Sequence, residues 1–155
     1  MPKTPLNPSP ISVLSQDFWE VNLQASTGHD HDFGDLDIKR QVTPVKDNPL
    51  QWCVYLQIKL TAVEGQKPPP YSGCILARGI YEVHKQYAHD PGRLVRITGA
   101  SMLYGAAREM ITSVTARGPH GMLTLPSVSF YEESSKPRKK AAKKTAKKQK
   151  VRAKR

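Results

Sequence analysis

From Trp52 to Val63 the chain alternates without a break: Trp52, Val54, Leu56, Ile58, Leu60 and Ala62 interleave with Cys53, Tyr55, Gln57, Lys59 and Thr61. A period of two puts the first set on one side of a strand, whereas a helix would scatter it around the whole surface. β-Branched and aromatic residues on both sides fit a pleated, largely covered strand. Glu64 to Pro70, with three consecutive prolines, breaks the pattern as a connection. A second strand is predicted from about Ser72 to His84, so the two form a long hairpin with an extended loop. Upstream, Asp35 to Val42 alternates again, with Leu36, Ile38, Arg40 and Val42 on one side, and Ile11 to Leu23 reads as a further strand. Connections too short for crossover helices make the sheet antiparallel.

After His84 the period changes. Pro91-Gly92 reads as a turn, and a helix is predicted from roughly Thr98 to Arg117. Ile97, Ala100, Tyr104, Ala107, Ile111 and Val114 are spaced 3, 4, 3, 4, 3 along it, a continuous apolar seam. Leu103 and Met110 broaden the stripe. Such a helix serves either as a subunit interface or as core packing, and its breadth favours the interface. Gly118-Pro119 ends it, since Gly accepts the left-handed cap and Pro cannot continue a helix. A short apolar segment, 121–130, then folds back over helix or sheet. The fold class is therefore α+β: a four-stranded antiparallel sheet packed with one long helix.

Charge locates the remaining boundary. The chain of 155 residues has a net charge of +11, but residues 136–155 hold 12 basic and no acidic groups. That leaves 12 basic against 13 acidic residues in 1–135, a net of −1, so the basicity belongs to the tail. Residues 1–10, with four prolines, are expected to be a disordered N-terminus; 11–133 form the domain; 134–155 form a disordered Lys/Ala tail. No apolar run approaches the roughly 18 residues of a membrane span, and the N-terminus has no apolar secretory core. A cytoplasmic location is expected. Cys53 and Cys74 lack CxxC spacing and read as two reduced thiols.

No motif supports catalysis. There is no G-x-S-x-G, no Cys paired by motif with His and no paired-carboxylate motif, and Gly99-Ala100-Ser101 lacks the lysine of a phosphate loop. The pattern is that of a binding protein, not an enzyme, with no cofactor. His29-Asp30-His31-Asp32-Phe33-Gly34-Asp35-Leu36-Asp37 is the densest polar cluster, but no further ligand sits at a characteristic spacing, so a solvated loop is favoured over a metal site. In the tail, Lys139, Lys140, Lys143, Lys144, Lys147 and Lys148 would hold nucleic acid without reading its sequence. Alternatively, the tail serves solubility alone.

The segment from Gly99 to Pro119, GASMLYGAAREMITSVTARGP, followed by Leu123 to Phe130, LTLPSVSF, resembles the SecB family. Arg108, Glu109, Arg117, Gly118, Val128 and Phe130 fall on the family pattern, and Gly79-Ile80-Tyr81 is similar to its strand ending. The likeness spans roughly 11–131 and is strongest over 72–130. It implies a homotetramer, a dimer of dimers with the long helix at its centre. It further implies an ATP-independent holdase that binds unfolded polypeptides, such as preproteins for Sec-dependent export delivered to SecA; relatives serve antitoxins instead.

On that resemblance the client-contact candidates are Phe33, Leu125, Val128 and Phe130, which could equally be core. The subunit-interface candidates are the seam residues. The SecA-docking candidates are Asp17 and Glu20. Three departures matter. Gly105-Ala106 stands where the family usually has Pro-Tyr inside the helix start. The family's acidic docking position falls here near Cys74 and Ile75. After Phe130, where relatives enter a second amphipathic helix, Tyr131-Glu132-Glu133 runs into Ser134 and lysines. Holding is thereby better supported than docking. The rival reading is a nucleic-acid-associated protein acting through the tail.

Overall fold

Alternation yields four long strands in the computed structural model, which describes residues 9–27 and 34–131. They are β1 (Ile11–Ala25), β2 (Asp35–Val45), β3 (Asn48–Thr61) and β4 (Tyr71–Val83). All pairings are antiparallel, and the order across the sheet is β1-β4-β3-β2. β2, β3 and β4 are joined in sequence, while β1 lies beside β4 at the far edge, a Greek-key order. Alternation alone does not reveal that placement, because period two specifies faces and not neighbours. The expected disordered N-terminus is corrected at its end: Pro10 accepts a backbone hydrogen bond from His84 at 3.0 Å, which ties the chain to the sheet just before β1.

One face of the sheet carries the core. Val54, Leu56, Ile58 and Leu60 of β3 and Ile75, Ala77, Tyr81 and Val83 of β4 point into it, and all are buried. Gly79 makes room for the Tyr81 ring, since a Cβ there would come within 2.5 Å of its Cε2. β1 is irregular at two points, with register shifts between Val13 and Ser15 and between Phe18 and Glu20. The first bulge brings Phe18 to the core face opposite Ala77, and the second leaves Trp19, outside the pairing, 61% exposed on the other face.

The helix starts earlier than its spacing predicts, and Pro91-Gly92 is its beginning, not a turn. Pro91 stands in the first turn of α1 (Pro91–Leu94), and Asp90 caps it by accepting from the Arg93 amide at 3.2 Å. Proline is at home there because its missing N–H would have no partner. A π-helical turn, Val95–Gly99, leads into α2 (Ala100–Thr115). Gly92 is what allows the close approach, with Trp52 Cη2 3.0 Å from where its Cβ would stand.

After α2 the chain turns back at Gly121, which has a φ of 75°. Residues 121–131 then run extended along the helix as a strap. Leu123 and Leu125 enter the core and close it.

Candidate functional site

The strap is an extended segment without a ladder. Among the described residues no backbone–backbone hydrogen bond holds 122–131. Side chains of the helix hold its first half. Thr112 Oγ1 donates to the Leu123 carbonyl at 3.2 Å, Arg108 Nε to Leu125 at 2.9 Å, and the Tyr104 hydroxyl to Pro126 at 2.7 Å. Burial pushes the Tyr104 phenol above its ordinary pKa, so it stays a donor. In return Thr115 Oγ1, 1% exposed with its residue, accepts the Leu123 amide at 2.8 Å and donates to Ile111 at 2.7 Å. Each bond reads backbone, not side chain.

The second half is held differently. Arg40 of β2 donates through Nη1 to the Phe130 carbonyl at 3.2 Å and to the Arg96 carbonyl at 2.7 Å. Its guanidinium also lies 5.5 Å from the Phe130 ring centroid. Tyr104 meets the same ring edge-on at 5.9 Å. Arg96 belongs to the π-helical turn, where the wider spacing leaves carbonyls to be satisfied from outside the helix. Beside these contacts a cleft of about 430 Å³ opens between β2 and the strap, lined by Ile38, Arg40, Val128, Ser129, Phe130 and Tyr131. β2 is the last strand of the sheet, so its outer edge bounds this cleft.

No protein-family profile matches the chain, and no curated protein matches it. Among solved structures it is similar to the Mycobacterium tuberculosis SecB-like chaperone in complex with a ChAD peptide from the HigA1 antitoxin. The match has a TM-score of 0.52 at 15% identity and covers 77% of this chain and 91% of that one. The chain has a SecB-like fold.

Within this SecB-like fold the sequence candidates separate. Val128 and Phe130 line the cleft, half-buried. Leu125 is 1% exposed and belongs to the core, so its candidacy for contact is corrected. Phe33 and the His/Asp cluster at 29–32 lie outside the described residues, as does the basic tail. The helix seam divides too. Ala100, Tyr104, Ala107 and Ile111 are buried within a single chain, against sheet and strap, and are core where the spacing favoured an interface. A 3.6-residue period identifies the covered stripe of a helix but not what covers it. Ile97 is half-buried, and Val114 is exposed. On α2, Met102 is half-buried and packs against the core, Ala106 and Met110 are half-buried, and Val114 and Gly105 are exposed.

Asp17 and Glu20 lie on the uncovered sheet face of the SecB-like fold. Arg78 of β4 donates to Asp17 at 2.6 Å, and its guanidinium stands 4.9 Å from the Trp19 ring. Trp19 in turn packs edge-on to Tyr55 at 5.9 Å. Of the two docking candidates, Asp17 is thus paired with Arg78, and Glu20 is exposed. Cys53 is buried and Cys74 half-buried, and both are free thiols. Sequence reasoning missed Arg40. Its signal was present: a charged residue in the row Leu36, Ile38, Arg40, Val42 must find partners if that row faces a core.

Proposed function

We propose that the chain is an ATP-independent holdase that retains non-native polypeptide segments. The observation that supports this most is the open cleft between β2 and the strap, with Ile38, Val128 and Phe130 at its rim, on a fold shared with a chaperone solved with a bound peptide. Apolar burial contributes about 25 cal/mol per Å² before ordering costs are subtracted, so this small cleft anchors a client weakly and tight holding needs contacts beyond it. Several weak sites on one assembly would add avidity along one unfolded chain. The test is aggregation of a reduced, refolding client without nucleotide. Suppression at a small molar excess is expected, and no suppression at several-fold excess ends the proposal.

Among client classes, the likeness to a structure holding an antitoxin peptide favours a dedicated antitoxin chaperone. Export by way of SecA receives less support, because Arg78 neutralises Asp17. Pull-down with each candidate client separates the two. Assembly as a dimer of dimers would use the partly exposed Ala106, Met110 and Val114 of α2 and the free β1 edge, where Val13, Leu14 and Val21 are exposed. In the rival reading the 12 cations of the tail hold nucleic acid. Truncation after Glu133 decides: holding that survives the loss of nucleic-acid retention makes the tail accessory.

A further inference from the structure

We infer that residues 127–131 are an internal stand-in for a client, and that Arg40 is the group that passes their place to an incoming extended chain. The inference rests on the holdase reading and specifies how its site opens.

The strap is unequal along its length. Leu123 and Leu125 are buried, and their carbonyls, with that of Pro126, are held by Thr112, Arg108 and Tyr104. Past Pro126, Val128 packs at the edge of the core, and the polar and ring contacts fall on Phe130, from Arg40 and from Tyr104. Val128 and Phe130 remain half-buried there, at the cleft wall. Arg40 is also unusual for its position. It occupies the core-facing row of β2, opposite the buried Leu56, where the neighbouring residues are Ile38 and Val42. The guanidinium in this row donates to two main-chain carbonyls, Arg96 and Phe130, which offset part of its desolvation.

That bond recognises a backbone carbonyl with a ring beside it, and any extended chain can offer both. When a client segment replaces 127–131, one carbonyl is exchanged for another at Arg40 and one apolar side chain for another between Arg40 and Tyr104. Neither the number of hydrogen bonds nor the buried apolar area need fall, so displacement is close to balanced, while the first half of the strap stays fixed and the core remains closed. The occupant is therefore an extended, apolar polypeptide segment supplied from outside.

The probe is a labelled synthetic peptide of the strap's own sequence, residues 123–131, titrated against the full chain. In the unaltered protein it competes with a tethered copy at high effective concentration and binds weakly. Phe130→Ala empties the position, and at least tenfold tighter peptide binding is expected. Adding Arg40→Met to Phe130→Ala removes that gain. Equal affinity for the unaltered and Phe130→Ala chains overturns the inference. A second measurement needs no substitution: with fluorine-labelled phenylalanine, the Phe130 resonance moves to its solvent-exposed position when a reduced, unfolded client binds. A bound client that leaves this resonance unmoved overturns the stand-in and leaves the holdase reading standing. Failure of every client to bind overturns the holdase reading, and the peptide comparison then decides the stand-in by itself.

Discussion

Arg78 and Asp17 meet at 2.6 Å across the β1–β4 pair, directly opposite one another in register, and the same guanidinium leans on Trp19. One cation thereby links an acid and an exposed ring on the uncovered face of the sheet. The Arg78 pKa is raised, chiefly by the hydrogen bond to Asp17. Both side chains remain partly in water, at 31% and 42% exposure, so the pair is worth little despite its geometry.

Arg78→Gln is accordingly expected to lower stability only slightly. The loss, read from urea unfolding, should shrink as salt rises, because screening at roughly 1 M reduces the Debye length to about 3 Å. A salt-independent loss would instead assign the effect to packing against Trp19.

Leu125 and Val128 stand three residues apart on the strap but do different work. Leu125→Ala removes a fully covered side chain and is expected to cost about 2–5 kcal/mol. Val128→Ala, at the cleft wall, should cost about 1 kcal/mol or less while weakening client holding. Chemical unfolding measures the first effect and client aggregation the second. A Val128 variant that unfolds like the Leu125 variant would make that residue core.

These two residues also show how far the sequence could be read. Strands, their faces and the antiparallel pairing follow from local alternation, so all four were legible. The partner of β1 was not, because strand order depends on contacts far apart in the chain. Ala100, Tyr104, Ala107 and Ile111 announced a covered stripe, but only the path of the strap shows that their own chain covers it. Trp19 was illegible for a sharper reason: a bulge of one residue reverses the face that parity assigns. The π-helical turn likewise shifted the helix start away from the spacing of the seam. Arg40 was readable as an oddity in an apolar row. Its partners, Arg96 and Phe130, are 56 and 90 residues away and could not be.

The outward side of α2 offers a test of assembly that spares the fold. Val114 is 47% exposed, so Val114→Lys should change the stability of one chain by no more than about 0.5 kcal/mol. If this face joins subunits, the same change, combined with Met110→Lys, lowers the particle mass measured by light scattering at tens of micromolar. Unchanged mass would exclude the face, and the β1 edge would then be the surface to alter.

Alkaline pH probes the core through Tyr81 and Tyr104. Burial raises the pKa of Tyr81 and of Tyr104 above the ordinary phenol value. The Gln16 amide, donating to the Tyr81 hydroxyl at 3.0 Å, offsets only part of that shift. A raised pKa means that above about pH 10 the unfolded chain loses these protons before the folded one does. The folded state then binds more protons than the unfolded state, so stability must fall as pH rises. Below the unfolded value both states are protonated and the contribution is complete. The melting temperature should therefore not respond to these groups between about pH 7 and 9 and should decline beyond about pH 10. Tyr81→Phe, which cannot ionise, is expected to flatten that decline. At neutral pH it loses roughly 0.5–1.5 kcal/mol with the Gln16 hydrogen bond. An alkaline limb equally steep in Tyr81→Phe and in the unaltered chain would show that Tyr81 ionises as freely in the fold as outside it.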